Sequence, residues 1–75
     1  MDKQDLLEHL MQVGGADAIE VAQTFRAPYP AVAMMLLRLL RQGLLARYQD
    51  EDAVRFWYEL TPKGVARLRY FRRLS

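Results

Sequence analysis

The sequence predicts a mainly α-helical chain with one small β-hairpin, in the order helix, helix, helix, hairpin, helix. Three observations carry that prediction. Apolar residues recur at helical spacing in three separate stretches before Gly43. Between Val54 and Leu60 apolar and polar side chains alternate, as in a strand returning against Leu44–Gln49. Thr61-Pro62 then opens a last periodic stretch, with Val65, Leu68, Phe71 and Leu74 along one side. No linker, repeat or low-complexity segment interrupts the order, so residues 1–75 are expected to form a single domain.

Each element has its own punctuation. Asp2 is placed to cap the first helix, Leu6, Leu7, Leu10 and Met11 share a face, and Gly14-Gly15 stops it. Asp17 with Glu20 three residues on resembles a capping box, and Ile19, Val21, Ala22 and Phe25 give a second short helix its apolar stripe. Arg26-Ala27-Pro28-Tyr29-Pro30 is a turn, because each proline biases its predecessor away from helix. The third helix runs from about Tyr29 or Pro30 to Gln42, with Val32, Leu36 and Leu39 facing inward and Gly43 as the left-handed stop. Asp50-Glu51-Asp52 is a polar tip between the strands. In the returning strand, Phe56, Tyr58 and Leu60 are expected to cover the helices.

Composition narrows the function classes. There is no cysteine, which excludes disulfides and thiolate metal sites, and a single histidine, His9, cannot build the usual zinc site. His9 shares the polar side of the first helix with Asp2, Asp5 and Gln12, where exposure is expected. Neither a nucleophile motif nor a phosphate-binding glycine loop is present, and the only paired carboxylates sit in the polar tip, so no enzyme and no cofactor is expected. The start, MDKQDLLEHL, does not resemble a signal peptide, and the most apolar window, Ala31–Leu37, is too short to span a bilayer. These features predict a cytoplasmic chain with no membrane partner, and a length that leaves little volume for an effector pocket. Net charge is only +2 but unevenly placed: five of nine acids precede Arg26, while ten of eleven bases lie at or beyond it. One basic face of that kind suits a nucleic-acid partner.

Two stretches resemble a known family. DAIEVAQTFRAPYPAVAMMLLRLLRQGLLARY is similar to a helix-turn-helix followed by its wing, and FWYELTPKGVARL to the second wing strand entering the final helix. Together they resemble winged helix-turn-helix transcriptional regulators of the MarR, PadR and ArsR kind, from Leu6 to about Leu74. The resemblance implies a prokaryotic DNA-binding regulator of transcription, with duplex DNA as partner and the third helix as reading head. Carried onto this chain, the DNA-contact set is Arg26, Tyr29, Ala31, Ala33, Met34, Leu37, Arg38 and Arg41, with Arg47 and Arg55 on the wing strands.

That set departs from the family pattern. Base edges are read mainly by donors and acceptors, whereas Ala31, Ala33, Met34 and Leu37 offer at most contact with a thymine methyl. Arg38 and Arg41 are better placed for phosphates, which position a protein without specifying sequence. The acidic tip would repel phosphates, so it is expected to stay off DNA. A second function class follows: an interaction module whose exposed apolar third helix docks on a protein partner.

The final helix admits two readings. Its bases, Lys63, Arg67, Arg69, Arg72 and Arg73, could meet phosphates; alternatively Val65, Leu68, Tyr70, Phe71 and Leu74 form a homodimer interface, as terminal helices do in the resembled regulators. The dimer is the expectation adopted. Trp57, on the outward side of its strand, is expected to fold over Arg47 or Tyr48, or else to anchor a partner.

Overall fold

The computed structural model describes residues 1–49 and 55–74; the acidic tip and Val54 lie outside the described residues. The first helix, α1 (Lys3–Val13), begins at a reciprocal cap: Asp5 N–H donates to Asp2 Oδ1 at 2.9 Å and Asp2 N–H to Asp5 Oδ2 at 3.2 Å. It ends at Gly14, in the left-handed region at φ 85°, whose N–H donates to the Leu10 carbonyl. Leu6, Leu7 and Leu10 are buried, but Met11 stays 36% exposed. At about 100° per residue it falls at the edge of a stripe centred between Leu6 and Leu10. His9 departs further from expectation: it is half-buried, edge-on to Phe25 with ring centroids 5.3 Å apart. Its Nε2 is buried without a hydrogen-bond partner among the described residues.

A strand that the sequence did not reveal follows. β1 (Ala16–Asp17) precedes α2 (Ala18–Phe25), whose first turn is held by Glu20 N–H donating to Asp17 Oδ1 at 2.8 Å. Arg26 ends α2 with a left-handed φ of 52°, and α3 (Tyr29–Arg41) starts with a proline in its first turn, where a missing N–H costs little. Val32, Leu36 and Leu39 point into the core, as their spacing requires. At the far end Gly43 adopts φ 76°, and the Leu44 N–H donates back to the Leu39 carbonyl at 3.0 Å.

β2 (Leu45–Tyr48) and β3 (Trp57–Leu60) pair antiparallel with Leu45 opposite Leu60 and Arg47 opposite Tyr58, and β1 adds to the other edge of β3. Tyr58 is buried and Leu60 half-buried, but Phe56 is 38% exposed. Two residues beyond Tyr58 it has outrun the helices, and its ring lies under the Arg47 guanidinium, 4.1 Å from the centroid.

α4 (Pro62–Leu74) closes the structure, locked to the end of α3. The Thr61 hydroxyl donates to the Gly43 carbonyl at 2.6 Å and accepts from Gly64 N–H at 3.0 Å, while Lys63 Nζ donates to the Gln42 carbonyl at 2.8 Å. Gly64 is buried against the Leu44 backbone, where a Cβ would collide with the carbonyl oxygen. Leu68 is fully buried with Leu6, Leu7, Leu10, Val21, Leu36 and Leu44 in one cluster that Phe71 flanks. Burying these side chains stabilises the fold by roughly 1.5–3 kcal/mol each before entropy is counted.

Candidate nucleic-acid interface

The α2–turn–α3 unit presents one strip of α3 to solvent. Met34, Arg38 and Arg41, at offsets of four and three, all lie opposite the buried Val32, Leu36 and Leu39 and are exposed. Met34 is 54% and Tyr29 53% exposed, and Ala31 is exposed as well. Ala33 and Leu37 are half-buried on the flank of the strip. Arg38 and Arg41 also occupy the last turn of α3, where positive charge complements the helix dipole. Arg26 is exposed in the turn that precedes α3.

On β2, Arg47 is exposed but stacked on Phe56; Arg55, expected on a wing strand, instead lies two residues before β3, its guanidinium 3.6 Å from Asp17 Oδ2. Trp57 is 42% exposed, opposite Tyr48 in the β2–β3 register. Its indole rests against the backbone of Gly15, where a side chain would overlap the ring, and its Nε1 donates to Glu59 Oε2 at 3.1 Å. A glycine following the helix-stopping Gly14 was the only local signal for that seat. An open surface groove of about 1200 Å³ runs between the wing and the first turns of α2 and α3. Tyr29, Tyr48 and Trp57 supply rings to it, and Asp17, Arg55 and Glu59 supply charge.

The final helix divides the residues expected at a dimer interface. Tyr70 and Leu74 are 54% and 68% exposed, and Val65 and Phe71 are half-buried. Leu68 is a correction: at 0% exposure it belongs to the core of its own chain and has no surface to offer a second copy. Two of the helix's cations are engaged within the chain, Lys63 at the end of α3 and Arg72 with Glu8 of α1. Arg69 and Arg73 are exposed and Arg67 half-buried.

Among the described residues no group of three His, Asp or Glu is placed to hold a metal ion, and no helix is long and apolar enough to cross a membrane.

No protein-family model matches the chain, and no curated protein does. Solved structures do. A MepR-like protein complexed with pseudoligands is 33% identical over 88% of this chain and 47% of its own, with a TM-score of 0.81. MarR of E. coli in its apo form aligns over 95% of this chain and 53% of its own, at 21% identity and a TM-score of 0.88. S. aureus MepR, in a mutant form bound to an oligodeoxyribonucleotide, aligns over 95% and 54%, at 24% identity and a TM-score of 0.85. The chain thus spans about half the length of the solved structures it matches. Four helices, the hairpin and the added strand β1 coincide with theirs, and the chain has the winged helix-turn-helix fold of MarR-family transcription regulators.

Proposed function

We propose that this chain binds duplex DNA as a transcription regulator, seating α3 in the major groove. The observation that carries the reading is the exposed strip of α3, in which Arg38 and Arg41 extend a face begun by Met34. Support comes from the MepR structure that contains an oligodeoxyribonucleotide. The arginines suit phosphates, while Met34 suits thymine methyls and DNA shape rather than polar base edges. Affinity is therefore expected to exceed sequence discrimination. The functional unit is a homodimer acting in the cytoplasm, joined through the exposed Tyr70 and Leu74 with Val65 and Phe71 beside them.

Binding to a random duplex, followed by mobility shift as salt is raised, tests the proposal. Each phosphate contact removed, by Arg38→Ala or Arg41→Ala, should flatten the slope of log affinity against log salt by about 0.9. An intact protein that shifts no duplex at low salt would overturn the reading and leave Met34 as the anchor of a protein interface.

A further inference from the structure

We infer that Asp17 governs how much DNA affinity Arg55 delivers: it holds the Arg55 guanidinium in the free chain and yields it to a backbone phosphate on binding. The inference rests on the DNA-binding reading and adds to it a residue that contacts no base.

Asp17 is fixed three ways. Its backbone pairs with Trp57 in the sheet, its Oδ1 accepts from Glu20 N–H at 2.8 Å, and its Oδ2 faces Arg55 Nη1 at 3.6 Å. The side chains differ in access, at 22% exposed for the carboxylate and 62% for the guanidinium. An anchored acid thus faces a base that remains open to water. At 3.6 Å the two attract as charges but lie beyond good hydrogen-bond distance, so the pairing is weak. A guanidinium accepts carboxylate and phosphate oxygens in the same planar geometry, which makes the exchange chemically simple.

The position of the pair gives the exchange its purpose. The groove has Tyr29 at the start of α3 on one side and Arg55 and Trp57 of the wing on the other. A recognition helix seated in the major groove is flanked by the DNA backbone, which brings a phosphate to this gap. Among the described residues that line the groove, a phosphate arriving there meets two carboxylates, Asp17 and Glu59, and one cation, Arg55. Glu59 already accepts from the Trp57 indole. Asp17 opposes binding through Arg55, by occupying the guanidinium before the phosphate arrives.

Affinity for one random duplex, measured by fluorescence anisotropy over a salt series, tests this with Asp17→Asn, Arg55→Ala and the double variant. Asparagine keeps an oxygen for the Glu20 N–H, so the α2 cap survives. Asp17→Asn should tighten binding about two- to fivefold, the scale of an exposed ion pair. Arg55→Ala should weaken binding and flatten the salt slope by about 0.9. The double variant should behave as Arg55→Ala alone. Tightening that persists without Arg55 would overturn the inference, because the carboxylate would then act by repulsion only; so would an Asp17→Asn protein that binds no tighter than the parent. Should circular dichroism show Asp17→Asn to be misfolded, Asp17→Ser, another capping side chain, takes its place in the same comparison. A parent chain that binds no duplex removes the DNA reading itself and this inference with it. That result is distinct from a parent that binds and an Asp17→Asn variant that does not gain.

Discussion

Glu8 and Arg72 face each other across α1 and α4 in a two-pronged contact, Arg72 Nε donating to Oε1 and Nη2 to Oε2, both at 2.8 Å. They are 64 residues apart in sequence, and they fasten the last turns of α4 to the middle of α1. Hydrogen bonds from Arg72 hold the Glu8 carboxyl below its ordinary value of 4.5. A depressed carboxylate contributes stability above its unfolded value and loses it as pH falls through the folded one. A Glu8→Gln variant is therefore expected to melt below the parent at pH 7, with the gap closing under pH 4.5 and shrinking in high salt. Melting temperature measured across pH checks this, and a gap constant with pH would refute it.

Gly64 is fixed by space rather than by flexibility. A methyl group there would meet the Leu44 carbonyl, so Gly64→Ala must push α4 off the strand and is expected to cost about 1–3 kcal/mol. Gly43→Ala meets only ordinary contact with the Lys63 side chain, and its cost, about 1–2 kcal/mol, comes from the positive φ. Denaturant melts of both should distinguish the causes: replacement of Gly43 by Asn, which tolerates that φ, recovers much of the loss, while Gly64→Asn recovers none.

Leu68 and Leu74 lie on one helix but are expected to fail in different ways. Leu68→Ala opens a cavity in the core and should cost about 2–5 kcal/mol. Tyr70→Ser with Leu74→Ser should change monomer stability by no more than about 0.5 kcal/mol per site. If α4 joins two copies, that double variant sediments as a monomer while the parent does not. A parent and variant that sediment alike would place any dimer contact elsewhere.

His9 offers a gain instead of a loss. Its buried Nε2 lacks a partner among the described residues, and the ring already packs on Phe25. His9→Leu removes the unmet polar atom and keeps an apolar neighbour for Phe25, so stability should rise by about 1 kcal/mol. Thermal melts are the check; a destabilised variant would mean that water satisfies the ring.

Local rules made the helices legible. Asp2, Asp17, Gly14 and Gly43 act on backbone within four residues of themselves, and each stands where its chemistry required. Val32, Leu36 and Leu39 were likewise settled by spacing alone. Depth was harder to read, because periodicity gives an angle around a helix or a side of a strand and not the height of the neighbour facing it. Met11 and Phe56 lie on the expected sides but beyond the reach of the core, while Leu68 proved deeper than an interface allows. β1 is two residues long, too short for any alternation, and its pairing with β3 depends on residues some forty positions away. The same separation hid the Asp17–Arg55 pair, although both residue types were plain in the sequence.

The Thr61 hydroxyl joins the exit of α3 to the start of α4 with one oxygen, and Lys63 adds a second tie to the same corner. The two helices therefore behave as arms of a bracket, so that movement at one is transmitted to the other rather than absorbed between them. In a dimer held through α4, that stiffness would make the separation of the two α3 helices a fixed dimension of the assembly. Paired DNA sites one helical turn apart demand a separation of roughly 34 Å. A bracket that cannot flex would accept that spacing and penalise the insertion or deletion of a few base pairs. Loosening the corner, by Thr61→Val for example, would relax this preference for spacing before it touched the affinity of either half.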